Sequence, residues 1–197
     1  MKGKFRLSWN APVTLMFVLL CFVATLLGVV SGGTISQMLF TAYKMQFLNP
    51  LSWFRCFGCT IGHVSWQHFF NNMLYIIILG PMLEEKYGKG VIISLILCTG
   101  LATSLAITFL FPNTGVIGAS GVVFAMILLS SFTQFENGTI PVTFLLVFVI
   151  YIGQEVVNGV FVQDNVSQMG HILGGVVGSI SGFVNNKGKR KDSGSCI

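Results

Sequence analysis

Apolar residues run through this chain in long blocks separated by short polar interruptions. Six blocks stand out, at 11–30, 66–83, 90–111, 116–132, 140–157 and 167–184. A helix needs about 20 mostly apolar residues to cross a bilayer. Each block approaches that length, some only with their flanks, so the pattern predicts six membrane-spanning helices. The second, fourth and sixth blocks carry polar groups and are the least hydrophobic. Helices of that kind need shelter from lipid and are expected at the centre of a bundle.

The interruptions are also informative. Glu84-Glu85-Lys86-Tyr87-Gly88-Lys89 reads as a short charged turn, and Phe135-Glu136-Asn137-Gly138 as a turn signal. The one long connection, 31–65, is rich in Phe, Met, Leu and Trp yet broken by Pro50 and several glycines. It is too apolar for a disordered linker, so it is expected to lie partly in the membrane interface.

Composition agrees with the pattern. Only 9% of the 197 residues are charged and 53% are hydrophobic, whereas soluble domains carry about 25% charged residues. The expected fold is an all-α membrane protein, a compact bundle of six transmembrane helices with a long interfacial loop between the first and second spans. It forms a single domain over 1–197, with 1–10 and 185–197 as basic tails. Six spans place Lys2, Lys4, Arg6, Lys86, Lys89, Lys187, Lys189, Arg190 and Lys191 on one side, leaving only Lys44 and Arg55 on the other. Basic residues favour the cytoplasmic face, so both termini are expected there. The net charge of +5 lies at the ends and in one turn rather than along a face, which argues against nucleic acid. No internal repeat of the kind common in transporters is evident. The first block is long enough to span and is not read as a secretory signal, although Ser31-Gly32-Gly33 can mimic a cleavage site.

Of the five cysteines, Cys21 and Cys98 lie within apolar blocks. Cys56-Phe57-Gly58-Cys59 has a redox or zinc spacing, but without a second pair it predicts no metal. A local disulfide there stays open.

Polar side chains at membrane depth usually mark function. His68 and Asn72 are four apart and share a helix face, with His63 just before that helix. Ser120 sits within Gly118-Ala119-Ser120-Gly121. Flanking glycines let backbone approach closely and expose N–H groups, and a serine beside free N–H groups at a helix mouth suits attack on a carbonyl. His171, Gly174 and Gly178 form one face, smooth enough to bring the imidazole near a neighbouring helix. Each feature alone also has a packing explanation. Together they place four polar groups from three spans at similar depth, which is costly unless they converge on a wetted cavity. Serine then needs a general base, and neutral imidazole can serve. Glu155 and Asp164, the only acidic candidates on that side, sit in no motif, so a Ser–His dyad is the simpler arrangement.

The order and spacing of these motifs resemble the rhomboid intramembrane serine proteases, from Arg55 to Gly178. The shared elements are Gly-x-Ser-Gly (118–121), His-x-x-Gly-x-x-x-Gly (171–178), and His-x-x-x-Asn (68–72) after a loop bearing Trp53 and Arg55, with Glu84 and Gly88 in the turn after the second span. The resemblance implies Ser120 as nucleophile and His171 as general base and then acid. It implies an oxyanion hole of His68, Asn72 and the Ser120 N–H, shaped by Gly118. Phe124 stands where many members have a tyrosine that packs on the catalytic histidine. Arg55, His63 and Glu84 would tie down the half-submerged loop, and the fifth span and the cap before His171 would move to admit substrate. Trp53 is one residue further from Arg55 than the family pattern, and Asn71 stands where members are often apolar.

The resemblance therefore implies a serine endopeptidase that cuts transmembrane protein substrates in or near their spans, embedded in the lipid bilayer. It needs no cofactor or metal, and a monomer suffices for catalysis. The short chain suggests a bacterial-type member of the cell membrane. The alternative is a non-catalytic relative that binds or escorts transmembrane clients. A transporter with a proton-relay histidine is a further alternative.

Overall fold

The first long helix begins at a proline, whose fixed φ suits an opening turn and whose missing N–H costs nothing there. The structure, a computed structural model, describes residues 10–132 and 165–192, with Val142, Leu145, Leu146 and Val149 between them. Helix α1 is Pro12–Val30, followed by a π-helical turn at Ser36–Phe40 and a short helix α2, Pro50–Gly58. Then come α3 (Trp66–Tyr87), α4 (Lys89–Leu110), α5 (Ser120–Ser131) and α6 (Asn165–Asp192). The only strand-like pairing among the described residues is an antiparallel bridge between Ala42 and Val116.

Local chemistry explains the boundaries. The Ser65 hydroxyl accepts the His68 N–H and opens α3, and the Asn49 side chain accepts the Leu51 N–H and opens α2. Gly88, at φ +88°, reverses the chain between α3 and α4 in a single residue, a conformation that favours glycine. Helix α5 starts four residues later than the 116–132 block predicts. Val116 is paired with Ala42, and the Gly118 N–H donates to the Cys59 carbonyl at 2.8 Å, so the segment before Ser120 is held extended. The helix is 12 residues long, about 18 Å, and begins within a fold whose neighbouring helices are longer.

Helix α5 is the centre of the bundle. Val122, Val123 and Ala125 through Leu129 are all buried, and α3, α4 and α6 pack around them. Helix α3 is less central than its polar content suggests. One face, with Phe69, Asn72, Met73 and Ile76, is buried, while Phe70, Leu74 and Ile78 on the other are exposed. Among the described residues two helices, Pro12–Val30 and Lys89–Leu110, are long and apolar enough to cross a membrane by length and composition. The expected fifth span lies outside the described residues except for four positions, Val142, Leu145, Leu146 and Val149, which are helical and exposed. Helix α6 runs to Asp192, so the expected tail from 185 begins inside it.

Candidate active site

Ser120 is the first residue of α5. The N-cap residue, Ala119, offers no side-chain acceptor, so the opening N–H groups of the helix lack the usual cap. The approach to this serine hangs on the connection before α3. Beyond the bonds at Val116 and Gly118, the Ala119 N–H donates to His63 Nε2 at 3.4 Å. That bond makes Nε2 an acceptor, so Nδ1 carries the proton and donates to the Ile61 carbonyl at 3.1 Å. Thr25 Oγ1 lies 3.4 Å from the same Nδ1 and itself donates to the Cys21 carbonyl. His63 is 1% exposed. Burial, aided by the neighbouring His68, pushes its pKa down to about 3, so it is neutral, as its two bonds require. It supports the backbone just before Ser120 as well as the loop.

Gly118 has φ +137°, and the His68 imidazole occupies the space where a side chain would stand, with Cε1 2.5 Å from an added Cβ. A larger residue would be strained in backbone and would displace His68. The His68 and His63 rings meet edge to face at 5.1 Å. A cavity of about 40 Å³ is lined by Ser120, His68, Gly118, Gly121, Thr99 and Thr103, with Cys59 and Gly170 among its other walls. That is room enough for water.

His171 reaches this region from α6. Its ring stacks on Phe124 with centroids 4.3 Å apart and planes 6° from parallel. Phe124 is one helical turn beyond Ser120, on the same face of α5. The stack is possible because α5 and α6 touch backbone to backbone. An added Cβ at Gly174 would collide with the Gly121 carbonyl oxygen, and one at Gly178 with that of Ala125. The structure thus gathers Ser120, His68, Gly118, Phe124, His171 and the glycine stripe into one region. Asn72, one turn along α3 from His68, is 6% exposed, and its Nδ2 has no acceptor among the described residues. A buried donor left unpaired costs about 1–3 kcal/mol.

The remaining residues lie elsewhere. The Arg55 Nε and Nη2 both donate to the Met38 carbonyl, at 2.9 and 2.6 Å, and its guanidinium sits over the Tyr43 ring at 5.4 Å. It ties down the long connection, as does Trp53, whose Nε1 donates to the Phe47 carbonyl at 2.9 Å. Asn71 faces outward and accepts from Gln67. Glu84 corrects an expectation, because it does not reach that loop. It is sixteen residues beyond His68 on the same helix, about 24 Å away. Its buried carboxylate accepts the N–H groups of Val13 and Thr14 at 3.0 and 2.9 Å and the Thr14 hydroxyl at 2.9 Å. Glu84 therefore caps α1, where a carboxylate meets the positive end of the helix dipole.

Thr99 and Thr103 were not singled out from the sequence, although two threonines four apart in an apolar helix share a face and signal a polar lining. Cys21, Cys56 and Cys59 are free and buried, so the Cys-x-x-Cys pair is unbridged. Burial pushes the Cys59 thiol up to about 12, and it donates to the Cys56 carbonyl at 3.4 Å. No cluster suited to a metal occurs among the described residues.

The chain is similar to RHOMBOID-like protein 1 of Arabidopsis thaliana, 31% identical over 137 residues, which is 66% of this chain and 34% of that protein. It is also similar to the chloroplastic Rhomboid-like protein 11 of the same plant, 30% identical over 83 residues, 42% of this chain and 30% of that protein. The matched stretches span about a third of those curated relatives. A family model described as the rhomboid domain matches residues 50–187, from the start of α2 into α6, and so takes in the segment leading to Ser120, the stacked histidine and the glycine stripe alike. With most of its length so matched, the chain belongs to the rhomboid family of membrane proteins.

Proposed function

We propose that this protein is an intramembrane serine endopeptidase using a Ser120–His171 dyad. The observation that carries the reading is the stack of His171 on Phe124, one turn above Ser120, in a helix pair brought into backbone contact by Gly174. That stack fixes the plane of the imidazole on the nucleophile's face of α5.

His171 takes the Ser120 hydroxyl proton as Oγ attacks a substrate carbonyl. The carbonyl π-bond becomes an oxyanion, and donors from the Ser120 N–H, His68 and Asn72 Nδ2 receive it, with Gly118 holding the space open. Collapse breaks the C–N bond, and the imidazolium returns its proton to the leaving amine. Water then attacks the acyl-enzyme, with His171 again the base, and releases the carboxylate product. Each oxyanion donor is worth about 3 kcal/mol, by analogy with other acyl-transfer enzymes. The unpaired Asn72 donor suits that role, since it gains an acceptor only when charge develops. His63 stays neutral and keeps Ala119 in place.

Six spans, both termini cytoplasmic and a site near the outer end complete the proposal. The exposed aromatic residues of the 31–65 connection, among them Phe47, Trp53 and Phe54, suit an interfacial position. A substrate helix hides its carbonyls in its own hydrogen bonds, so it unwinds locally before cleavage, and small or helix-breaking residues favour that. A monomer contains every group named.

Purified protein with a tagged membrane substrate tests the reading. Ser120→Ala is expected to abolish both cleavage and labelling by a fluorophosphonate probe while leaving the fold intact. Cleavage retained by Ser120→Ala would overturn the nucleophile. Absence of Ser120-dependent labelling in folded protein would instead favour a non-catalytic client-binding relative.

A further inference from the structure

Helices α1 and α4 both start at the same end of the bundle, because Glu84, just before the α3–α4 reversal, caps α1. From that end the two helices leave a groove of about 440 Å³ between them. Phe17 forms its floor, and Met16, Leu20, Ile93 and Leu97 form its walls. From Lys89 to Leu97 it runs about 12 Å along the helix, close to the roughly 15 Å depth of one leaflet's hydrocarbon. Its lining is almost wholly apolar except at one point. Lys89 stands at the mouth, at the first residue of α4, and is exposed. The start of α4 has no side-chain cap, which adds positive potential beside the ammonium. Of the nearby acidic groups, Glu84 is buried against α1 and Glu85 is exposed on α3. An apolar channel of leaflet depth with a cation at headgroup level matches an amphiphile with an anionic head and a hydrocarbon tail.

We infer that the α1–α4 groove is a binding site for one acyl chain of an anionic glycerophospholipid whose phosphate pairs with Lys89. The site lies apart from Ser120 and does not depend on the protease reading. A bound lipid fills the groove along the outer side of the α1–α4 contact, and so stiffens that helix pair.

The test uses the full chain in nanodiscs of phosphatidylcholine containing phosphatidylglycerol with a diazirine in its acyl chain. After illumination, labelled peptides are mapped by mass spectrometry. Labelling is expected to concentrate on 12–20 and 89–97 and to be displaced by unlabelled phosphatidylglycerol but not by phosphatidylcholine. Lys89→Gln should cut it about fivefold, the factor that about 1 kcal/mol per basic residue implies. Ile93→Trp, which fills the groove, should abolish it at an unchanged thermal midpoint. If a variant fails to fold, the headgroup competition on the unaltered chain decides. Uniform labelling of lipid-facing helices, or equal displacement by phosphatidylcholine, would overturn the inference.

Discussion

Adjacent glycines on α6 give a sharp test of the contact that stacks His171 on the helix bearing Ser120. Gly174 and Gly175 differ by one position and about 100° of rotation. At Gly174 an added methyl overlaps the Gly121 carbonyl oxygen, carbon and Cα, all backbone and next to Ser120. Backbone cannot rotate aside, so Gly174→Ala must push α6 away from α5 by about 1 Å. A displacement of that size costs on the order of 10²-fold in rate, or about 2.7 kcal/mol. At Gly175 the nearest atom to an added methyl is Leu128 Cγ at 3.8 Å, an ordinary contact. Alanine there should be harmless and can even stabilise the helix by up to about 1 kcal/mol. The assay is the initial rate of reporter cleavage in liposomes, with thermal midpoints measured in parallel. The reasoning fails if Gly174→Ala stays within about threefold of the unaltered protein, or if Gly175→Ala is equally damaging.

Other outcomes follow from single contacts. Phe124→Ala should lower turnover about 3- to 10-fold, from the 0.5–1.5 kcal/mol typical of a ring stack, whereas Phe124→Tyr should retain activity; equal rates for both would remove the stack from the account. The folded-state pKa of His63 lies below its ordinary 6.5, at about 3, so between those values the unfolded chain takes up a proton that the folded protein excludes. Stability from this group is complete above pH 6.5 and declines as pH falls through that window, so His63→Gln should flatten the acid limb of thermal midpoint against pH. Glu84→Ala deprives α1 of three hydrogen bonds and should cost about 2 kcal/mol or more, read as a lowered thermal midpoint that Glu84→Gln partly restores; an unchanged midpoint for Glu84→Ala would refute the cap.

Much of the helical layout was legible because it is written locally. The block at 90–111 matches α4 within a residue at each end, and the smooth face of Gly174 and Gly178 predicted the close approach of α6. The start of α5 was not legible. A run of apolar residues from Val116 reads as helix, and only partners more than fifty positions earlier, Ala42 and Cys59, hold it extended. Glu84 was misplaced for the same reason, since its ligands are about seventy residues away on α1. The neutrality of His63 is equally a product of burial among distant groups. Hydrophobic period reports which face is covered, not by what.

The three tethers that run from the 31–65 connection into Val116, Gly118 and Ala119 have a mechanical consequence. They make that flank a fixed wall, because any shift of it would be passed to Ser120 within a peptide unit or two. Insertions near Leu48, which is fully exposed, should be absorbed harmlessly, while a single residue added between Cys59 and His63 would drag the Ser120 hydroxyl out of register. On the proposed protease reading, a substrate that had to prise this flank open would displace Ser120 in the act of arriving, so that reading puts the hinge for admission on the opposite side.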